Sequence, residues 1–204
     1  MSDVGDRVVP SDMDRPQLVK LLKNEATQLM LGPSITTVTF LRGDPSKVFN
    51  PLRLKLEHMC AQNPWLASFL VKTKDGVCLS HHQPPLPREE VDELFYSPFY
   101  SKGNRMLYPS IDSTMSFTQI CTEVGGTSAE VPAGNACLGK PVPLVKLSVL
   151  PDTKRPQDTT ALIFSVSHVV VDGFGYYQLL GMLSTSAPVF PLSAVRKESI
   201  EAQT

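Results

Sequence analysis

No apolar run in this chain approaches the roughly 18 residues needed to cross a bilayer, so no transmembrane segment is expected. Long runs of one charge sign are also missing: 19 Lys and Arg against 20 Asp and Glu leave a formal net charge of −1. That balance excludes the basic footprint of a nucleic-acid binder and a polybasic membrane anchor. Cysteine is scarce and scattered at Cys60, Cys78, Cys121 and Cys137, with no C-x-x-C pair. With only four histidines besides, no metal site of zinc-like spacing is expected. The thiols read as reduced and mostly buried, as in a cytoplasmic protein. The opening "MSDVGDRVVPSDMDRP" is polar and acidic, unlike a secretory signal. There is no internal repeat. "GGTSAEVPAG" lacks the G-x-x-x-x-G-K-[ST] order of a phosphate loop.

What is present is the make-up of one soluble globular domain: 204 residues, 42% apolar and 19% charged. We read residues 1–14 as a polar arm, 15–190 as the folded domain and 191–204 as a polar, frayed tail. In "RPQLVKLLKNEATQLM", Leu18, Leu21, Leu22 and Leu29 recur at helical spacing, and Asp14 before Arg15-Pro16 suits a helix start. "SITTVTFLR" reads as a strand. A helix follows over about Ser46–Gln62, with Val48, Leu52, Leu56, Met59 and Cys60 on one stripe; Pro51 predicts a late start or a kink.

"LASFLVK" and "VCLSHH" flank "TKDG", a hairpin signal. Residues 83–113 read as an irregular but ordered excursion, because Phe95, Tyr96, Phe99, Tyr100 and Tyr108 call for burial. "TMSFTQICTEV" reads as a strand and the following small-residue stretch as a loop. "PLVKLSVL" and "TTALIFSVS" read as paired strands, and "FGYYQLLGMLS" as the last helix. The order implies an α/β two-layer sandwich, a mixed β-sheet with helices on one face.

The chemistry concentrates in "FSVSHVVVDGFGYY". His168, Asp172 and Gly173 form H-x-x-x-D-G between a strand pattern and a helix pattern. A neutral imidazole keeps one nitrogen free to accept a proton, so His168 in a cleft can act as general base. Asp172 suits organising the turn, by pairing with a basic side chain or by capping the helix near Phe174. Gly173 is expected to supply a backbone angle that side chains disfavour. The alternative for His168 is a packed core position. His81 and His82, ending the hairpin strand, read as surface residues that can also line an acceptor pocket.

"SHVVVDGFGYYQLL" resembles the active-site segment of the CoA-dependent acyltransferase superfamily, which includes BAHD enzymes, condensation domains and chloramphenicol acetyltransferase. "SITTVTFLRGD" through "TKDG" and "PLVKLSVLP" through "SVSHVVVDG" resemble the strands and first long helix of its N-terminal half. The resemblance implies acyl transfer from a CoA or carrier thioester to an alcohol or amine. It makes His168 the catalytic base, Asp172 the structural aspartate held by a basic residue, and Gly173 the turn glycine. Acyl-CoA is then a co-substrate beside a small-molecule acceptor, and no permanently bound cofactor is implied. BAHD and condensation proteins are about twice as long and close their site with a second half. Three readings stay open: a fragment of a longer enzyme, a homo-oligomer that closes the site, or a non-catalytic interaction subunit keeping half of the fold.

Overall fold

The computed structural model describes residues 16–98 and 108–195. Its centre is a four-stranded sheet built on β7 (Thr159–Val166), whose residues are all buried. On one side β7 pairs antiparallel with β2 (Ile35–Arg42), Ile35 facing Val166 and Arg42 facing Thr159. On the other it pairs antiparallel with β6 (Val145–Pro151), and β6 pairs in parallel with the two-residue β5 (Phe95–Tyr96). The sheet is therefore mixed, in the order β2-β7-β6-β5.

Alternation along β7 sorts its side chains onto two faces. Leu162, Phe164 and Val166 join the main core, whereas Ala161 and Ile163 join a smaller cluster behind the sheet. The main core is closed by α1 (Pro45–Gln62), which buries Leu52, Leu56, Met59 and Cys60, and by α5 (Gly173–Met182), which buries Tyr176, Leu179 and Met182. Tyr176 fixes α5 to the sheet: its hydroxyl lies 2.7 Å from Thr37 Oγ1 and donates to the Phe164 carbonyl at 2.9 Å. This is the mixed sheet with long helices on one face that the element order implies. The reverse face is covered by residues 108–131, including the short α3 (Phe117–Val124).

A second sheet, in the order β1-β4-β3, joins β1 (Gln17–Lys20), β3 (Phe69–Thr73) and β4 (Gly76–His81). β3 and β4 are the expected hairpin, with Thr73 facing Gly76 across a two-residue turn. Gly76 takes φ +125°, a conformation that suits glycine.

Several expectations are corrected. The helix read over residues 15–30 is a strand and turns: Gln17–Lys20 pair with Lys20 opposite Cys78 and Gln17 opposite His81. Backbone pairing along β4 outweighs the helical leucine spacing, and of those leucines Leu18 and Leu29 are exposed while Leu21 is buried. Asp14 and Arg15 lie outside the described residues, as do the arm over 1–14 and Phe99 and Tyr100.

Pro51 neither delays nor ends α1, which starts at Pro45 with Asp44 as its cap, donating Ser46 N–H to Asp44 Oδ1 at 2.9 Å. Pro51 sits on the exposed face, and the carbonyl its missing N–H leaves unbonded belongs to exposed Lys47. "TMSFTQICTEV" holds α3, not a strand, because Ser116 and Gln119 form a reciprocal capping box. The irregular excursion contains α2 (Arg88–Leu94) and β5, and the small-residue loop contains one helical turn, α4 (Gly134–Cys137).

The described part of the tail is also pinned. Asn63, fully buried at the end of α1, donates from Nδ2 to the Phe190 carbonyl at 3.1 Å and accepts the Leu192 N–H at 2.6 Å. Leu192 and Ala194 pack against the main core.

Candidate active site

β7 ends at Val166, and its last turn-forming contacts are made by the backbone. Ser167 N–H donates to the Leu144 carbonyl at 2.9 Å, and Val170 N–H closes back on the Ser167 carbonyl at 3.0 Å. The three valines after His168 are not strand residues. Val169, Val170 and Val171 are buried in the main core and anchor the turn by their side chains. That anchoring leaves His168 half-buried at the strand-to-helix junction. Its Nδ1 is buried without a hydrogen-bond partner among the described residues.

Asp172 is the N-cap of α5. Its Oδ1 accepts the Gly175 N–H at 2.8 Å, and its carbonyl accepts the Tyr176 N–H at 2.9 Å. The residue is exposed, and no basic side chain among the described residues pairs with it. Of the two roles open to it in the sequence, capping is the one the geometry carries.

Gly173 is corrected more sharply. It takes no positive φ, and a Cβ there would meet nothing within 4 Å. The constraint lies two residues on. A Cβ on Gly175 would stand 3.2 Å from Val171 Cβ and 3.3 Å from Asp172 Oδ1, so this glycine lets the helix begin close over the turn.

His168 lines a cleft of about 270 Å³. Val170, Val171, Asp172, Phe174 and Gly175 contribute from its own junction, and Gln178 from the next turn of α5. Trp65 comes from the 3₁₀ turn that follows α1, Leu79 from β4, and Glu25 and Met30 from the turns after β1. Leu192, Ser193 and Ala194 complete the wall. The cleft thus lies where the three-stranded sheet meets α5. Beside His168, the lining joins an apolar body to polar groups at Glu25, Asp172, Gln178 and Ser193, and among the described residues it holds no lysine or arginine.

Of these, the sequence singled out only His168 and Asp172. Val170, Val171, Phe174, Gly175 and Gln178 lie in the same segment, and the remaining lining residues come from four separate stretches with no local motif. Glu25 is held in place by accepting the Leu22 N–H at 2.9 Å.

The second histidine pair lies elsewhere. His81 is buried, with Nδ1 2.9 Å from the His82 carbonyl, which corrects its reading as a surface residue. His82 is paired through Nδ1 with Glu90 at 2.6 Å, and neither histidine lines the His168 cleft. Among the thiols, Cys60, Cys78 and Cys137 are buried and Cys121 is exposed, all free. Burial pushes the Cys60 thiol up to about 12. Among the described residues no helix is long and apolar enough to cross a membrane, and no group of three or more candidate metal ligands gathers.

No family model matches the chain, and no curated protein matches it by sequence. Solved structures do match by fold. TRI101 of F. graminearum, complexed with ethyl coenzyme A, aligns with a TM-score of 0.54 at 11% identity over 88% of this chain and 41% of that one. The same enzyme complexed with coenzyme A and T-2 mycotoxin gives 0.54 at 12% identity, over 87% and 41%. The epimerization domain from the third module of tyrocidine synthetase B gives 0.50 at 13% identity, over 89% and 38%. The chain spans about two-fifths of the length of these structures. At such identities the likeness is one of fold: this chain shares the architecture of a part of TRI101 and of the tyrocidine epimerization domain.

Proposed function

We propose that the chain takes part in acyl transfer from an acyl-CoA or carrier thioester to an alcohol or amine, with His168 as general base. The observation that carries this reading is the position of His168: half-buried at a strand-to-helix junction and on the wall of a cleft. The H-x-x-x-D-G resemblance and the fold likeness to a coenzyme A-complexed enzyme point the same way.

In the reaction, the acceptor oxygen or nitrogen bonds to the thioester carbonyl carbon while His168 takes its proton. The carbon–sulfur bond then breaks, and the proton passes from His168 to the departing thiolate. The products are an ester or amide and a free thiol. The oxyanion formed between these steps needs a hydrogen-bond donor. Asp172 and the close packing at Gly175 hold the turn that aims the ring. Acyl-CoA acts as a co-substrate in a cytoplasmic setting, and the site is closed either by a second copy of the chain or by a C-terminal half. The acyltransferase-like unit follows an arm over 1–14 and runs from about residue 15 past the expected end at 190, since Leu192 and Ala194 pack against its core.

A second reading keeps the fold as a non-catalytic interaction subunit. It is favoured by Asp172, which among the described residues has no basic partner of the kind the resemblance implies.

The two separate on one experiment. Release of free thiol from acetyl-CoA is followed with a panel of alcohols and amines, alongside the mass of the protein in solution. The wild type turns over, and His168→Ala loses about 100-fold or more of the rate with an unchanged melting temperature. Equal rates for the two proteins, or no turnover by the wild type in any assembly state, refute the catalytic reading.

A further inference from the structure

A sheet edge left open invites another strand, and proteins commonly shorten, charge or cover such edges. Three of the four described edges follow that rule. β5 is two residues long, and β1 carries Lys20. β3 carries Lys72, and its Leu70 carbonyl accepts the Gly139 N–H at 2.8 Å. β2 is different: eight residues without proline or glycine, in unbroken register with β7, its one charge being Arg42 at the end.

The open row can be read off the pairing. Gly43 N–H donates to the Asp158 carbonyl at 2.8 Å, continuing the register of β2 against β7. Odd-numbered residues of β2 therefore bond inward, and alternation turns the N–H and C=O of Thr36, Val38, Phe40 and Arg42 outward. Among the described residues no strand pairs with that row, and Thr39 and Arg42 are exposed where every residue of β7 is buried.

A second uncovered surface stands beside this edge. α5 has no charged residue and is apolar nearly all round, a composition that suits a covered helix. Yet Phe174 is 74% and Tyr177 67% exposed, and a Cβ on Gly181 would meet nothing within 4 Å. α1 packs over β6 and β7, whereas Tyr176 ties α5 to Thr37 and Phe164, a facing pair of β2 and β7. α5 is thus the helix nearer the open edge.

We propose that this edge is the interface to a second copy of the chain, the two β2 strands pairing antiparallel across a two-fold axis into one continuous sheet. The strand is self-complementary in that arrangement. With Thr39 opposite its own counterpart, Val38 faces Phe40 and Thr36 faces Arg42, so apolar meets apolar and the two arginines lie at opposite ends. Every outward N–H and C=O from Thr36 to Arg42 gains a partner. Strands about 4.8 Å apart set the two α5 axes about 10 Å apart on one face, the distance at which helices pack. Their uncovered apolar surfaces supply area that a strand pair alone lacks. A formal net charge of −1 per chain opposes the association little. The inference concerns assembly and holds whether or not the chain transfers acyl groups.

Sedimentation of the full chain from about 1 to about 100 µM tests it. The expected result is passage from monomer to a species of twice 22.4 kDa, half converted at about 10 µM. Thr39→Lys puts two like charges on the axis at an exposed position, and should weaken association about tenfold or more while melting like the wild type under monomeric conditions. Tyr177→Glu, on exposed α5 surface, should weaken it independently. Thr39→Cys, with exposed Cys121 replaced by Ser, should cross-link two copies on oxidation, since directly opposed strand residues lie within disulfide reach. Leu54→Cys in the same background, exposed on α1, should not. A chain monomeric at every concentration overturns the proposal and leaves the edge to a different polypeptide. So does a dimer that neither Thr39→Lys nor Tyr177→Glu weakens, or one that Thr39→Cys fails to cross-link.

Discussion

Replacing Asp172 separates two roles that one carboxylate can hold at the head of a helix. One is to accept a hydrogen bond, the other to supply negative charge. The structure assigns the first: Oδ1 receives the Gly175 N–H at 2.8 Å on an exposed surface, with no basic partner among the described residues. Asp172→Ala removes the acceptor and leaves that N–H to solvent, at a cost of about 1 kcal/mol, the usual worth of such a cap. For a domain of this size that lowers the melting temperature by about 2–4 °C.

Asp172→Asn keeps the acceptor and gives up only the interaction of the charge with the helix dipole, a few tenths of a kcal/mol at low salt. The expected order is wild type, then Asn, then Ala. Added salt closes the gap between the first two and leaves the third in place. Thermal unfolding at low and high salt reads all of this. An Asn variant that melts as low as the Ala variant would refute the reasoning, because the charge and not the acceptor would then hold the turn.

Three further expectations test the frame around the site. Tyr176→Phe strips the hydroxyl that joins α5 to Thr37 and the Phe164 carbonyl, and should cost about 1–3 kcal/mol in urea unfolding; a neutral result would mean those groups find other partners. Asp152 is fully buried, which by itself raises its carboxyl, but the backbone N–H groups of Ser113, Lys154 and Arg155, with the Ser113 side chain, outweigh this and hold it down to about 2. Its folded value lies below its unfolded one, so its stabilisation is complete above about pH 4 and is lost as pH falls toward about 2. The wild-type advantage over Asp152→Asn in urea midpoint should shrink across that window, and a constant difference would contradict it. Thiol labelling of the native protein should mark Cys121 alone at a fast rate and all four cysteines after unfolding; rapid labelling of Cys60 would deny its burial.

Much of the frame was legible where a single periodicity ran unbroken. The stripe from Leu52 to Cys60, the β-branched β2 and β7, and the hairpin at Lys74-Asp75 all fall where local pattern and burial agree. The misreadings arose where they disagree. Leu18, Leu21, Leu22 and Leu29 keep helical spacing, yet the edge of β4 takes that backbone as a strand. α3 was hidden by Thr118, Ile120 and Thr122, β-branched residues on a helix, although Ser116 and Gln119 carried the capping signal. At the site, His168 and Asp172 were readable because they share one junction. Trp65, Glu25 and Leu192 were not, because only chain folding brings three distant stretches to one wall.

The buried carboxamide of Asn63 has a bearing on where the smallest stable unit ends. It bonds the chain on both sides of Pro191, at Phe190 and at Leu192. A version stopped at residue 190 would strand an interior amide oxygen without its donor and strip Leu192 and Ala194 from the wall of the His168 cleft. A cut there would thus loosen the far end of α1 and unroof the pocket in one stroke, so the self-sufficient body of this chain reaches at least Ala194.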